Sequence, residues 1–322
     1  MQAIVRERYG SDEVLRFADV SEPVPGEGEV LVKVRTTSIN TADLDQLRGR
    51  PLISRLMLGL TKPRSPGLGL DVVGEVVEVG PDVTTLQAGD RVWGDVFGHA
   101  GAFAEYVSAP ARILSQLPEG LDMATAATVP HSAVLALQAL DGKGRIRPGS
   151  RVLINGAGGC VGPFAIQLAK AFGAEVTGVD HTEKLAFMRR AGADHVVDYT
   201  QTDVTRSAQR YDLVVDIAAT RSVLRFRRVL RRGGAYVLVA ATIGGFVQAA
   251  TVGALISVLG SRRMGVFGWT PSKGEDLATL GRMLIEGTLI PIVDRTYPLE
   301  SVPDALAYLA SGRARGKLLV EV

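Results

Sequence analysis

Residues 151–163 read Arg151-Val152-Leu153-Ile154-Asn155-Gly156-Ala157-Gly158-Gly159-Cys160-Val161-Gly162-Pro163, and a helix-forming run, Ala165-Ile166-Gln167-Leu168-Ala169-Lys170, follows directly. The apolar opening reads as a parallel strand, which is covered on both faces and therefore continuously hydrophobic. The glycines allow a tight turn and let backbone N–H groups approach a pyrophosphate resting on the positive end of the helix. A glycine pattern alone is weak evidence, since many turns need glycine. Here strand, loop, helix and a second strand occur in order, which marks a dinucleotide-binding unit. Gly156, Gly159, Cys160, Val161 and Gly162 are the candidate cofactor contacts of the loop.

The second strand, 175–179, runs into Asp180, 18 residues beyond Gly162. An acid about 20 residues on bonds the adenosine ribose hydroxyls and repels a 2′-phosphate, which favours NADH over NADPH. Lys184 pulls the other way, because an ammonium there attracts that phosphate. Asp180 also reads simply as an acid stabilised by a helix N-terminus.

Outward from the loop, strands at 151–154, 175–179, 195–197, 212–217 and 235–240 alternate with helices at 163–172, 183–191 and 222–230. That alternation predicts a Rossmann-type, doubly wound parallel sheet. Before it, residues 1–122 read as mostly β, with strands at 2–8, 29–37, 71–79, 90–95 and 103–108 and a helix at 41–48. The basic, apolar stretch 52–62 fits no element. Residues 124–140 form a helical pattern that Pro130 breaks or kinks. After 268 come helices at 275–285 and 302–309 and a closing strand at 317–322 that rejoins the first domain. The expected domains are 1–122 with 268–322, and 123–267 for the dinucleotide.

Composition bounds the function. Hydrophobic residues at 46% and charged residues at 22% describe a globular chain. A net charge of +2 makes no case for nucleic acid or an anionic membrane. One cysteine excludes an intrachain disulfide framework and any zinc site of several cysteines, and fits the reducing cytoplasm. The longest uncharged run, 233–260, reads as a buried strand, a Gly244-Gly245 break and a short apolar helix at 246–259 rather than a membrane span. The arginines Arg221, Arg225, Arg227, Arg228, Arg231 and Arg232 read as the solvated face of a helix whose buried stripe is Val223, Phe226, Val229 and Leu230.

Several further motifs lie along nearly the whole chain: Gly89-Asp90-Arg91-Val92-Trp93, Gly101-Ala102-Phe103-Ala104-Glu105-Tyr106, Gly192-Ala193-Asp194-His195-Val196-Val197-Asp198-Tyr199 and Arg315-Gly316-Lys317. With the glycine loop, they resemble the zinc-free, quinone-oxidoreductase-like branch of the medium-chain dehydrogenases/reductases. The resemblance implies a β-rich GroES-like catalytic domain beside the Rossmann domain, an NAD(P)H cofactor reaching Tyr199, and a homodimer formed through an edge strand at 266–269. It implies no zinc: Asn40 stands at the position of the zinc enzymes' catalytic cysteine, and Leu70 at that of their histidine ligand.

By the same resemblance Asn40 and Asp43, in Ser38-Ile39-Asn40-Thr41-Ala42-Asp43, lie beside the nicotinamide, and His131 lines the cleft. Locally, Asn40 and Asp43 also read as helix caps, and His131 as a satisfied, partly buried histidine. Lys273 reads as a solvated lysine. Many quinone reductases carry a tyrosine two residues after the aspartate; here Asp45 stands there, so the phenolic donor is absent. Without a Lewis acid, a simple ketone needs another positioned proton donor, whereas a quinone or activated C=C needs less. The expected function is hydride transfer from NAD(P)H to a small-molecule quinone, enone or other activated acceptor. The alternatives are a zinc-free alcohol/carbonyl dehydrogenase and an NAD(P)-binding protein with little turnover.

Overall fold

The computed structural model describes residues 1–99, 101–141, 146–219, 221–239, 243–266, 268–271 and 273–322. The chain divides into two compact units: Met1–Val134 with Thr270–Gly287 and Pro291–Val322, and Leu135–Trp269 with Thr288–Ile290. The first unit thus runs on to Val134, past the expected boundary at 122. The physical reason is that the helix Met123–Ala127 packs on the strands Glu29–Ile39 and Asp71–Val79, and that His131 and Ser132 bond to Asp71 and Asn40.

In the second unit six parallel strands stand in the order His195–Asp198, Glu175–Asp180, Arg151–Asn155, Tyr211–Asp216, Leu230–Leu238 and Arg263–Val266. The order reverses at Arg151–Asn155, the doubly wound arrangement that leaves a crevice beyond the strand ends. Leu153, Val179, Val214, Phe226, Tyr236 and Met264 form its core. The expected helix at 222–230 is shorter: Val223–Phe226 is helical, a 3-10 turn spans Arg227–Val229, and Leu230 already begins the strand. The pairing slips between Tyr211↔Leu230 and Leu213↔Ala235, and Gly233-Gly234 occupies that irregularity. Arg231 therefore lies in a strand, bonded to both Asp212 oxygens at 3.0 Å. Val223, Phe226, Val229 and Leu230 are nonetheless all buried. Of the expected edge strand at 266–269 only Val266 is in a strand; Phe267 lies outside the described residues, as does Ala240 of the strand expected at 235–240. The segment at 246–259 forms parts of two helices, Ile243–Gln248 and Ala254–Leu259, joined by a π turn. No helix among the described residues is long and apolar enough to cross a membrane.

In the first unit Val293–Pro298, Lys317–Glu321, Glu29–Ile39, Asp71–Val79, Arg91–Asp95 and Leu114–Gln116 pair in that order, and Tyr106–Pro110 also pairs with Glu29–Ile39. Lys317–Glu321 lies antiparallel to Glu29–Ile39, so the closing strand rejoins the first domain's sheet. Val30, Val32, Val72, Val76, Val92 and Val107 build one core. Ile4, Ile39, Leu47, Phe103, Leu306 and Leu318 build another. The helical pattern around Pro130 resolves into Met123–Ala127 and Ser132–Asp141, as a proline without an N–H requires.

Candidate active site

The first unit encloses a polar cluster drawn from five separate segments. Sheet pairing sets Asp71 opposite Asp95 on neighbouring strands, and both are buried. His131 bridges them. Its backbone N–H donates to Asp71 Oδ1 at 2.7 Å, and its ring Nδ1 lies 2.8 Å from Asp95 Oδ2. Asp71 Oδ2 accepts from Ser38 Oγ, from Asn40 Nδ2 at 2.9 Å and from Lys317 Nζ at 3.3 Å. Asn40 Oδ1 accepts from Ser132 Oγ at 2.9 Å and from Lys317 Nζ at 2.6 Å. Lys317 is 1% exposed; a buried ammonium requires such partners, because isolated charge is costly away from water.

Asn40 caps the helix Thr41–Arg48, and the Asp43 carboxylate accepts the Asn40 backbone N–H at 2.7 Å. The helix start thus fixes both residues. Asp43 is wholly buried, and its Oδ1 has no hydrogen-bond partner. Burial pushes its pKa up to about 7, against the lowering effect of the Asn40 N–H. At His131 burial opposes the charged form, but the charge and hydrogen bond of Asp95 outweigh it and raise the pKa. Burial likewise raises that of Asp95, with His131 opposing. His131 thus keeps its proton to higher pH than an ordinary imidazole, because Asp95 stabilises the charged ring.

The glycine loop lies in the second unit, between Arg151–Asn155 and the helix Gly162–Ala171. Gly156 adopts φ +85° and donates its N–H to Val179 O at 2.9 Å. A side-chain carbon on Gly162 would fall 2.2 Å from Ala157 O, so only glycine lets the helix start this close to the loop. Gly159 N–H reaches back to Gly156 O at 3.3 Å, and Cys160 is buried in the turn. Val161 immediately precedes the helix. Asp180 ends its strand, and its Oδ2 accepts the Gly158 N–H at 2.8 Å. The Lys184 stem packs on Gly158, where a side-chain carbon would lie 2.6 Å from Lys184 Cδ. Tyr199 donates its N–H to Asp180 O at 3.2 Å, and its half-exposed ring meets His181 edge-on at 6.1 Å. The arrangement sets small residues at the helix start beside an acid, a cation and an aromatic ring at the adjacent strand end.

Asp43, Asn40 and His131 thus belong to one cluster, and all eight loop and strand-end candidates to another. Lys273 instead pairs with Glu275 at 3.1 Å, with both side chains open to water. Asp71, Asp95, Ser132 and Lys317 were not singled out from the sequence. Asp71 directly follows Leu70, and Lys317 closes the Arg315-Gly316-Lys317 motif, but neither signal points to the other. No sequence motif marks Asp216 either: buried at the end of its strand, it accepts from Asn155 Nδ2, Tyr236 Oη and Ala219 N, bracing the turns beside the glycine loop.

Two family models match the chain: alcohol dehydrogenase GroES-like domain at residues 26–119, and zinc-binding dehydrogenase at residues 191–320. NAD(P)H oxidoreductase RTN4IP1, mitochondrial, of Mus musculus is 31% identical, over 100% of this chain and 89% of its own. The 2-methylene-furan-3-one reductase of Solanum lycopersicum is 31% identical, over 97% of this chain and 76% of its own. The structure of the quinone oxidoreductase from Coxiella burnetii superposes with a TM-score of 0.90 at 30% identity, covering 100% of this chain and 99% of that one.

Proposed function

The chain belongs to the quinone-oxidoreductase-like medium-chain dehydrogenases/reductases, and from that premise we propose a reductase that passes hydride from NAD(P)H to a quinone, an enone or another activated C=C or C=O acceptor. The observation that carries the reading is the glycine loop with Asp180 on the Gly158 N–H. Gly156, Gly159, Cys160, Val161 and Gly162 hold the pyrophosphate at the helix start. Asp180, Lys184 and Tyr199 take the adenosine ribose, and the Asp180 carboxylate favours NADH over NADPH. Bound nicotinamide supplies the hydride.

The reduced acceptor also needs a proton. His131 is our candidate donor: Asp95 orients its ring, and Asp71 holds its backbone. Asn40 presents an amide fixed by Lys317, Ser132 and Asp71, while Asp43 holds Asn40 in place through its N–H. The same His131–Asp95 pair favours a second reading, reduction of a simple carbonyl, because it is the positioned donor such a reaction needs without a metal.

Zinc does not fit these residues, despite the name of the matching family model. Leu70 offers no ligand atom, and the Asn40 oxygen is engaged by an ammonium at 2.6 Å that repels a divalent cation. The single cysteine supports a cytoplasmic location, although the mouse relative is named as mitochondrial. The edge strand Arg263–Val266 is our candidate contact for a homodimer, which sedimentation equilibrium tests.

The decisive experiment titrates the purified protein with NADH and NADPH, then follows cofactor oxidation with a quinone, an enone and a ketone. Turnover with the first two supports the reading. Tight cofactor binding without turnover of any acceptor overturns it in favour of a binding protein.

A further inference from the structure

Immediately beyond the helix Thr41–Arg48, the chain turns its apolar side chains outward. Leu52, Ile53, Leu56, Met57 and Leu60 are 58–72% exposed. Scattered single exposures are ordinary, but five large apolar residues within nine positions are a patch. Four of them, 52, 53, 56 and 57, recur at one-, three- and four-residue steps, the periodicity of a helix face, and Leu60 follows just beyond the helix end at Gly59. The 3-10 turn Leu52–Ser54 and the helix Arg55–Leu58 supply that backbone.

The charges that flank the patch are mostly positive. Arg48, Arg50, Lys62 and Arg64 are exposed around the patch, and no acidic residue occurs between Asp45 and Asp71. Net charge over the whole chain, +2, conceals this local concentration. The segment is also braced as a unit. Arg55 stacks over Tyr9 at 4.4 Å and donates to Gly49 O at 3.0 Å, while Tyr9 Oη donates to Gly59 O at 2.6 Å. The apolar side chains are thus held outward by a fixed scaffold.

We propose that residues 48–64 form a peripheral docking surface for an anionic lipid membrane, with the five apolar side chains entering the interface and the four cations meeting lipid phosphates and carboxylates. Charge complementarity selects this occupant: an apolar face flanked by four cations, with Asp45 beside Arg48 and Arg50 as its one neighbouring acid within residues 45–70, matches an anionic bilayer surface. The helix between patch and polar cluster is eight residues long, about 12 Å at 1.5 Å per residue. Docking therefore brings Asn40 and its neighbours near the layer where apolar acceptors dissolve. The proposal does not depend on which acceptor the enzyme reduces.

The test is cosedimentation of the full chain with vesicles of phosphatidylcholine alone and of phosphatidylcholine mixed with phosphatidylserine. Binding is expected to the mixed vesicles, to weaken with added salt, and to be far weaker to neutral ones. Leu56→Glu with Met57→Glu should abolish it, and Arg50→Ser, Lys62→Ser and Arg64→Ser together should lower it at least about tenfold. All these positions are exposed, so cofactor binding and the thermal midpoint should stay unchanged in both variants. Failure to bind mixed vesicles, or equal binding to neutral ones, overturns the proposal. So does a concentration-dependent dimer that Leu56→Glu with Met57→Glu dissolves, since that assigns the patch to a second copy of the chain.

Discussion

Asp95 and His131 face each other at 2.8 Å, carboxylate to Nδ1, with both side chains almost closed to solvent. The carboxylate raises the histidine's pKa over the opposition of burial. If His131 donates the proton, activity requires its protonated form and falls on the alkaline side of that raised pKa. Asp95→Asn removes the raising charge, so the alkaline limb of kcat should move to lower pH. His131→Asn should lower kcat by roughly 10²–10⁴-fold, with little change in cofactor affinity. A pH profile in which neither substitution shifts the limb removes His131 from the reaction.

Asp43 should make stability depend on pH. Its pKa rises from 3.8 to about 7 on folding, chiefly by burial. The folded state therefore binds the proton more tightly than the unfolded one. The associated stability is fully present below the unfolded value and is lost as pH rises through about 7. Asp43→Asn keeps an acceptor for the Asn40 N–H but cannot ionise. Relative to that variant, the wild type should lose up to about 4 kcal/mol between pH 4 and pH 8. Urea unfolding of both proteins across that range measures the difference; parallel curves reject the assignment.

The two sites differed in how plainly the sequence announced them. The glycine loop is contiguous: Gly156 to Gly162, with Asp180 one strand later, obeys a local steric rule that Gly162 against Ala157 O makes visible. The polar cluster obeys no local rule. Asn40, Asp71, Asp95 and Lys317 meet because sheet pairing sets residue 71 opposite 95 and residues 318–321 opposite 36–39, and His131 joins them from the turn between two helices. The strand Leu230–Leu238 is hard to read from sequence for a related reason. Arg231, Arg232, Gly233 and Gly234 lack a strand pattern, and Leu230 suited the buried stripe of a helix equally well.

Cofactor choice rests on Asp180 and Lys184. Asp180→Ser retains an acceptor for the Gly158 N–H and removes the charge that repels a 2′-phosphate. The ratio of NADPH to NADH affinity should rise about tenfold, near 1.4 kcal/mol. Lys184→Ala should move it the other way. Fluorescence titration with both nucleotides reads both shifts, and an unchanged ratio in both variants places the discrimination elsewhere.

Metal removal should change nothing. With Leu70 apolar and Asn40 engaged by Lys317, prolonged dialysis against a chelator should leave kcat and KM unaltered. Loss of turnover that zinc restores contradicts the zinc-independent reading.

Lys317 carries the sharpest structural prediction. Its ammonium compensates Asp71 in a site with almost no water, and removing one partner of such a pair strands the other charge. Lys317→Met should therefore cost about 3–5 kcal/mol of stability. Adding Asp71→Asn removes the stranded carboxylate and keeps one oxygen for the His131 N–H, while its amide NH2 takes the place of the oxygen that faced Ser38 and Asn40. The double variant should then be more stable than the sum of the single losses, by roughly 1–3 kcal/mol of coupling. The two substitutions also separate charge from position. If the double variant recovers stability but not turnover, Lys317 acts by holding the Asn40 amide in place; if it recovers both, the pair serves the fold alone.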